Sequence, residues 1–454
     1  MSKVATIVLA AGKSTRIKSS RSKLLHEIAG QKVITTLTKT LKKLQPDQVV
    51  YVVNHQKDKI ITEVSHTFSD FDWVDQGEPK GTAHAVKKGL EKLIKFRGDI
   101  LILAGDVPFL SLSILEKLVT RHHLNNSIFS LLSFEPENPH GYGRIIRKNN
   151  KAVGIIEEKE LKEEEKKIKE CNGGIYLIQA QWLKTAIDKI ENKNKKQEFY
   201  LTDLIYEVPS DSEITIIKTP PEELLGLNTR THFAQGEKIR KQQLTKKFME
   251  AGVGFLNPDE VYLEAEIEIG KDTIIEKDVA LKGKTVIGEN CRISQGSIIS
   301  DSIIEDGALI KPYSVIEDSV VGNNTQIGPF SHLRPKTVVG DNAKIGNFVE
   351  TKKTRLGKGV KASHLSYLGD AVIGENSNIG AGTITCNYDG TNKFVTTLGK
   401  EVFVGSDSQL IAPVTVGDNA YIGSGTTIMK DVPPNALAIN PKQQKNIAGW
   451  NQDD

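Results

Sequence analysis

The chain is poor in the residues that staple, stack or span. It has 3 cysteines, 3 methionines and 3 tryptophans in 454 residues, and only 6% of it is aromatic. Cys171, Cys291 and Cys386 show no CxxC spacing, which excludes a disulfide framework and points to a reducing, cytoplasmic setting with the three as small buried residues. Charge of one sign is missing too: 60 basic and 57 acidic side chains leave a net +3. No overall field calls for nucleic acid, so phosphate chemistry needs local cations. No stretch approaches the roughly 18 apolar residues of a membrane span. The run from Val4 to Leu9 is short and leads into Lys13 and Arg16, which reads as a buried first strand and not as the core of a signal peptide.

What the chain does have is a period of six. Hydrophobic residues recur at Ile269, Ile275, Leu281, Ile287, Ile293 and Ile299, then Ile304, Ile310 and Ile316, then Val321, Ile327, Leu333, Val339 and Ile345. The ladder returns at Ile373 and Ile379 and closes with Val404, Leu410, Val416, Ile422 and Ile428. Six fits neither an amphipathic helix nor a lone strand. It fits a left-handed parallel β-helix with three short strands per coil. Gly follows many rungs (Gly270, Gly288, Gly322, Gly340, Gly405), as expected where a corner needs a permissive backbone. The gaps from Ile345 to Ile373 and from Ile379 to Val404 predict loops.

Ahead of the solenoid, apolar runs alternate with helical patterns: Ala5 to Leu9 then Ile34 to Leu44, Gln48 to Val53 then Ile60 to Phe68, Ile100 to Leu103 then Ser113 to His122. That alternation predicts an open α/β domain with a parallel sheet and ligands beyond the carboxyl ends of its strands. The charged run Glu157 to Glu170 predicts a solvated surface helix. Helical spacing from Arg230 to Glu250, ending at Ala251-Gly252, predicts a connecting helix. The domains are therefore expected at 1–229 and 253–454, with 230–252 as the linker.

The turn from Leu9 to Arg16 leaves a strand and can aim backbone N–H groups and cations at phosphate. It is no Walker A loop, because Ile7 stands where that motif requires the first Gly. Together with Lys23, Gln76 before Gly81-Thr82, Asp106 after an apolar strand, the Gly141-Tyr142-Gly143 turn and Asn228, it resembles the sugar-nucleotide pyrophosphorylases. With the solenoid attached, the whole chain resembles the bifunctional N-acetylglucosamine-1-phosphate uridylyltransferase/glucosamine-1-phosphate acetyltransferase family. The resemblance implies an α/β Rossmann-like nucleotidyltransferase domain followed by a left-handed parallel β-helix of hexapeptide repeats.

By position, the resemblance implies that Leu9, Ala11 and Gly12 cradle UTP while Arg16 and Lys23 neutralise its triphosphate. Gln76, Gly81 and Thr82 would read uracil and ribose, and Gly141, Glu157 and Asn172 would hold the acetylated sugar. Asp106 and Asn228 would hold Mg²⁺. In the second half, Arg334 and Lys352 would grip the phosphate of glucosamine 1-phosphate, and Tyr367, Asn378 and Asn387 would orient the sugar and its amine. His364 would be the general base. Ala381, Ser406 and Ser424, with Asn387 and Tyr388, would line the acetyl-CoA channel. Ser22, Ala104 and Gly173 depart from the expected Pro, Tyr or Ser, and Thr; Pro441 replaces an expected Arg, with Lys442 one residue on. A homotrimer with small-molecule substrates, and no nucleic acid or membrane partner, is implied as well. Two rival architectures share the parts: a single-activity nucleotidyltransferase with a scaffold solenoid, and a translation exchange-factor subunit. Neither requires His364 and Tyr367 together with Arg16, Lys23, Asp106 and Asn228.

Overall fold

The structure, a computed structural model, describes residues 3–149, 151–441 and 443–450. It forms two compact units that divide between Arg240 and Lys241.

In the first unit the apolar runs become the centre of one sheet. Its strands lie in the order Ile214–Lys218, Phe129–Phe134, Cys171–Gln179, Asp99–Ala104, Val4–Ala10, Gln48–Val53 and Asp72–Asp75. Helices Val33–Leu44, Lys57–Ser65, Thr82–Leu90 and Leu112–Leu124 provide the crossovers. Ile7, Val50, Val52, Ile100 and Ile102 are fully buried, as near-continuous apolar strands covered on both faces should be. The sheet is mixed and not purely parallel: Cys171–Gln179 runs antiparallel to both of its neighbours. Cys171 pairs with Phe134 at that strand's end, so the chain re-enters from the carboxyl edge after the hairpin Arg144–Lys148/Lys151–Ile156 and has to run back.

The charged run after Glu157 is no surface helix. Two single 3₁₀ turns, Glu158–Glu160 and Glu165–Lys167, occupy it. Its salt bridges are local, as Lys166–Glu163, or tie single residues to other segments, as Lys195–Glu160, Arg144–Glu158 and Arg147–Glu170, and no apolar stripe exists to dock a helix. The helix Arg230–Glu250 forms as expected. Its first half belongs to the first unit: Phe233 is buried, Glu237 accepts from the Ala29 amide at 3.2 Å, and a Cβ on Gly236 would meet the Phe109 ring at 3.1 Å. Among the described residues no helix is long and apolar enough to cross a membrane.

The second unit is a parallel β-helix. Rungs three steps apart pair in register, Ile275 with Ile293, Leu281 with Ile299 and Ile287 with Ile304. Every rung named above from Ile275 to Ile428 is buried, and each contributes about 1.5–3 kcal/mol relative to an exposed side chain. The post-rung glycines serve a purpose other than the expected one. The left-handed corner residues lie two positions further on and are largely Asp or Asn, as at Asp272, Asp278, Asn290 and Asn324. Gly270 and Gly322 are needed because a Cβ there would sit 2.7 Å from the backbone of the next coil.

The gap from Ile345 to Ile373 is not a loop. Thr351, Leu356, Ala362 and Leu368 continue the buried ladder, and the inward Thr351 hydroxyl lies 3.0 Å from that of Thr337. Small and polar rungs hid the period. The second gap does hold an excursion, between the strands Ile384–Cys386 and Thr396–Leu398, with a hairpin bridge pairing Tyr388 and Lys393.

Candidate active sites

The first site forms where the strands Val4–Ala10 and Asp99–Ala104 end side by side, Leu9 opposite Ala104. The Gly105 amide donates to the Leu9 carbonyl at 2.9 Å, turning the chain so that Asp106 faces the opening. The Leu227 amide donates to the Asp106 carbonyl at 3.0 Å and brings in Asn228. Lys23 forms an ion pair with the Asp106 carboxylate, and its ammonium donates to Asn228 Oδ1 at 2.7 Å. Arg16 donates to the same Asn228 oxygen at 2.8 Å. Two cations and two oxygen donors thus share one point at the carboxyl edge of the sheet. Leu9, Ala11, Gly12, Gln76, Gly81 and Thr82 line a cleft of about 570 Å³ together with Lys23 and Asp106.

Three of the predicted sugar contacts sit differently. Glu157 lines a separate cavity of about 620 Å³ with Tyr200 and Asp203. Burial raises its carboxyl pKa against the bond it accepts from Thr202 at 3.3 Å. Asn172 spends its amide internally, donating to the Tyr176 hydroxyl at 2.6 Å and accepting from Gly174 at 3.1 Å. Gly141, at φ +90°, has open space around it. Tyr142 in the same turn reaches the site: burial raises its hydroxyl pKa, a bond to the Gly226 backbone opposes that, and the Asp106 charge adds to it.

The departures from the family pattern have local explanations. Ser22 donates its amide to Gln56 at 3.0 Å, a bond proline cannot make, and its hydroxyl caps the Lys23–Leu25 turn. Gly173 has no room for a threonine, since a Cβ would lie 2.6 Å from Leu224 and 2.8 Å from the Leu132 carbonyl. Ala104 adds a small wall to the cleft. Pro441 is exposed, and Lys442 lies outside the described residues.

The second constellation lies on the solenoid. His364 and Tyr367 stand on the strand Lys361–Gly369, paired in register with Lys344–Lys352, which carries Lys352. His364 lies opposite Asn347, and its Nδ1 is 3.2 Å from Asn347 Oδ1. Arg334, one coil back, forms an ion pair with Glu350 at 2.8 Å. Lys352 has a lowered pKa, chiefly through contact with the neighbouring Lys393 and then through Arg334. Three cations, Arg334, Lys352 and Lys393, are thus close together, with Asp370 opposing the shift. Asn378 begins the next strand beside Lys361, and Asn387 donates to Asp370 at 2.5 Å. Tyr388 heads the hairpin that returns Lys393. Ala381, Ser406 and Ser424 occupy one corner of three successive coils: Asp407 donates to the Ala381 carbonyl at 2.7 Å, and Gly425 to that of Ser406 at 2.8 Å.

Sequence reasoning missed Lys393 and Asn347. Lys393 sits beyond an insertion that breaks the ladder, and no periodicity reports it. Asn347 could have been found from coil length, because 17 residues separate it from His364.

A nucleotide-cradling α/β unit followed by hexapeptide coils defines the class: a nucleotidyltransferase fused to a hexapeptide transferase. The model of the MobA-like NTP transferase domain matches residues 6–153. That of the GMPPB C-terminal domain matches residues 261–341, and that of the bacterial transferase hexapeptide (six repeats) residues 396–430. The bifunctional protein GlmU of Geotalea uraniireducens is 41% identical over 453 residues, covering 99% of both chains. That of Koribacter versatilis is 41% identical, covering 99% of this chain and 96% of its own. That of Geobacter sulfurreducens is 40% identical, covering 99% and 98%. The chain belongs to the GlmU family of bifunctional proteins, and is a uridylyltransferase joined to an acetyltransferase.

Proposed function

We propose that residues 253–454 acetylate glucosamine 1-phosphate with acetyl-CoA, and that residues 1–229 then transfer UMP from UTP to the N-acetylglucosamine 1-phosphate formed, releasing pyrophosphate; residues 230–252 link the two. The observation that carries this reading is the convergence of Asp106, Asn228, Lys23 and Arg16 at the cleft edge.

In the acetyl step, Arg334, Lys352 and Lys393 hold the sugar phosphate, while Tyr367, Asn378 and Asn387 orient the sugar. Asn347 accepts from Nδ1–H of His364, which leaves Nε2 bare to take the proton of the attacking amine. The amine nitrogen bonds to the thioester carbon and coenzyme A leaves as the thiol. Ala381, Ser406 and Ser424, with Tyr388, line the donor channel.

In the uridylyl step, a phosphate oxygen of the sugar attacks the α-phosphorus of UTP, and catalysis is positioning plus charge neutralisation. Leu9, Ala11 and Gly12 cradle the nucleotide, Gln76, Gly81 and Thr82 read the base and ribose, and Arg16 and Lys23 neutralise the triphosphate. Gly141, Glu157 and Asn172 are assigned to the sugar, which Glu157 and Asn172 would take in exchange for their bonds to Thr202 and to Tyr176 and Gly174. The Asp106 and Asn228 oxygens that converge on the Lys23 ammonium are the hard donor pair Mg²⁺ takes alongside substrate phosphates. Mg²⁺ held by Asp106 and Asn228 would supply positive charge to the phosphates, with the Lys23 ammonium free to neutralise the triphosphate.

We assign the assembly as a homotrimer. Tyr313, Phe330 and Phe348 stack in an exposed column at 5.4 and 5.7 Å, and the next residue in it, Leu365, adjoins His364. A neighbouring copy covering that column also walls the acetyl site.

The test supplies glucosamine 1-phosphate, acetyl-CoA, UTP and Mg²⁺ and follows free thiol and pyrophosphate. Both products are expected. Pyrophosphate that appears only when N-acetylglucosamine 1-phosphate is supplied, with no thiol, would reduce the solenoid to a scaffold.

A further inference from the structure

Gln76 extends from the end of the strand Asp72–Asp75, its amide donating to the Val53 carbonyl at 2.8 Å. Its side chain is 5% exposed and forms part of the nucleotide cleft. Nε2 lies 3.1 Å from the Gly81 carbonyl and 3.4 Å from Nδ1 of His84, on the helix Thr82–Leu90. The Gly81 oxygen can only accept. The nitrogen end of the amide therefore faces it, whichever way the two ends are labelled. An amide NH₂ has two hydrogens, and the two acceptors take both. Only the carbonyl oxygen remains to meet a base.

We infer that His84 is a positioning residue that sets base selectivity in uridylyl transfer, by locking the Gln76 amide with its oxygen toward the nucleotide. The inference rests on reading Gln76 as the contact to the base. Turning the amide over would set its oxygen against the Gly81 oxygen and the bare Nδ1 of His84, two acceptors at once. Uracil carries an N–H at N3 and cytosine a bare nitrogen there. A fixed acceptor bonds the first and repels the second, whereas an amide held by the Gly81 carbonyl alone turns over more readily and discriminates less.

The lock needs His84 neutral, with its proton on Nε2. Burial lowers its pKa first, and the charges of Lys88 and Lys80 lower it further. Glu91 opposes them, and Lys87 adds a small push downward while paired with Asp188 at 2.6 Å in the adjoining cavity. The neutral ring is thus favoured at neutral pH, its tautomer with the proton on Nε2 accepts at Nδ1, and that acceptor is lost as the pH falls below the usual imidazole range.

The full-length chain with N-acetylglucosamine 1-phosphate, Mg²⁺ and either UTP or CTP, followed by pyrophosphate release, tests this. His84→Ala is expected to lower the UTP-over-CTP ratio of kcat/KM by about tenfold, the scale of one hydrogen-bond preference. His84→Asn keeps an acceptor where Nδ1 was and is expected to restore most of the ratio. The parent's KM for UTP should rise in acid, and His84→Asn should lack that limb. Thermal melting separates misfolding from lost selectivity; if His84→Ala melts early, the pH limb of His84→Asn decides. An unchanged ratio in His84→Ala, or the same acid limb in parent and His84→Asn, overturns the role of His84 while Gln76→Ala still weakens UTP. A Gln76→Ala variant with parental KM for UTP removes Gln76 from the base contact, and the inference goes with it.

Discussion

Replacing Asn347 by alanine is expected to slow acetyl transfer without loosening the sugar phosphate. The bond at stake joins His364 Nδ1 to Asn347 Oδ1 at 3.2 Å across paired strands. A neutral bond of this kind contributes about 1 kcal/mol, or roughly fivefold in the population of the correct ring orientation. A second loss adds to it, because without the acceptor the proton can move to Nε2 and leave no base facing the amine. Residues that orient a catalytic or ligating histidine from behind typically matter by about 10–100-fold, below the 10²–10⁴ of the base itself. We therefore expect kcat to fall about 10–100-fold in Asn347→Ala, with KM for glucosamine 1-phosphate within about twofold, since Arg334, Lys352 and Lys393 are left in place. Asn347→Asp keeps an acceptor and should lose much less. Because Asn347 acts only through His364, the double variant should be no slower than His364→Ala. Thiol release from acetyl-CoA measures the parent and all four variants. Parental kcat in Asn347→Ala, or a further tenfold loss in the double variant, would refute the reasoning.

The remaining expectations concern the first unit and its edge. Asp106→Ala and Asn228→Ala should each cripple pyrophosphate release, recover only in part with added Mg²⁺, and leave thiol release near parental; normal pyrophosphate release in Asp106→Ala would remove it from the metal site. Burial holds the folded pKa of Glu157 above its unfolded value, so its ionisation opposes folding and stability is lost as pH rises through that raised pKa. Glu157→Gln should then raise the melting temperature of this unit at neutral pH by a few degrees, the scale of about 1 kcal/mol, and the gain should vanish in acid. A fragment of residues 1–229 should retain uridylyl transfer and release no thiol. Residues 1–240 should melt higher than 1–229, because Phe233 and Glu237 pack on this unit; equal melting would show that half of the helix to be dispensable.

The repeat was legible because its rungs are large and apolar, and where they shrink to Thr351 and Ala362 the same coil read as a loop. The charged cluster was legible through the family resemblance, which singled out Lys23, Asp106 and Asn228, and the structure brings the three together. Glu157 was harder. Its position follows the sheet, but the side of the wall on which the carboxyl opens depends on Thr202 and Tyr200, more than 40 residues away. Lys393 was invisible for a related reason: a hairpin sets its place, and no period runs through a hairpin. The charged run after Glu157 misled because (i, i+4) pairs without an apolar stripe cannot hold a helix in place.

The corner shared by Ala381, Ser406 and Ser424 makes the solenoid a ruler. Successive coils are stacked at the strand spacing of about 4.8 Å, so length along this wall comes in whole coils and not in single residues. Three marks span roughly 10 Å. Removing or adding one coil would move the wall by one graduation while leaving every neighbouring bond in register. On the proposed reading of this corner as the donor channel, a change in the number of turns alters the length of the wall in steps of one coil, which no point substitution along the column does.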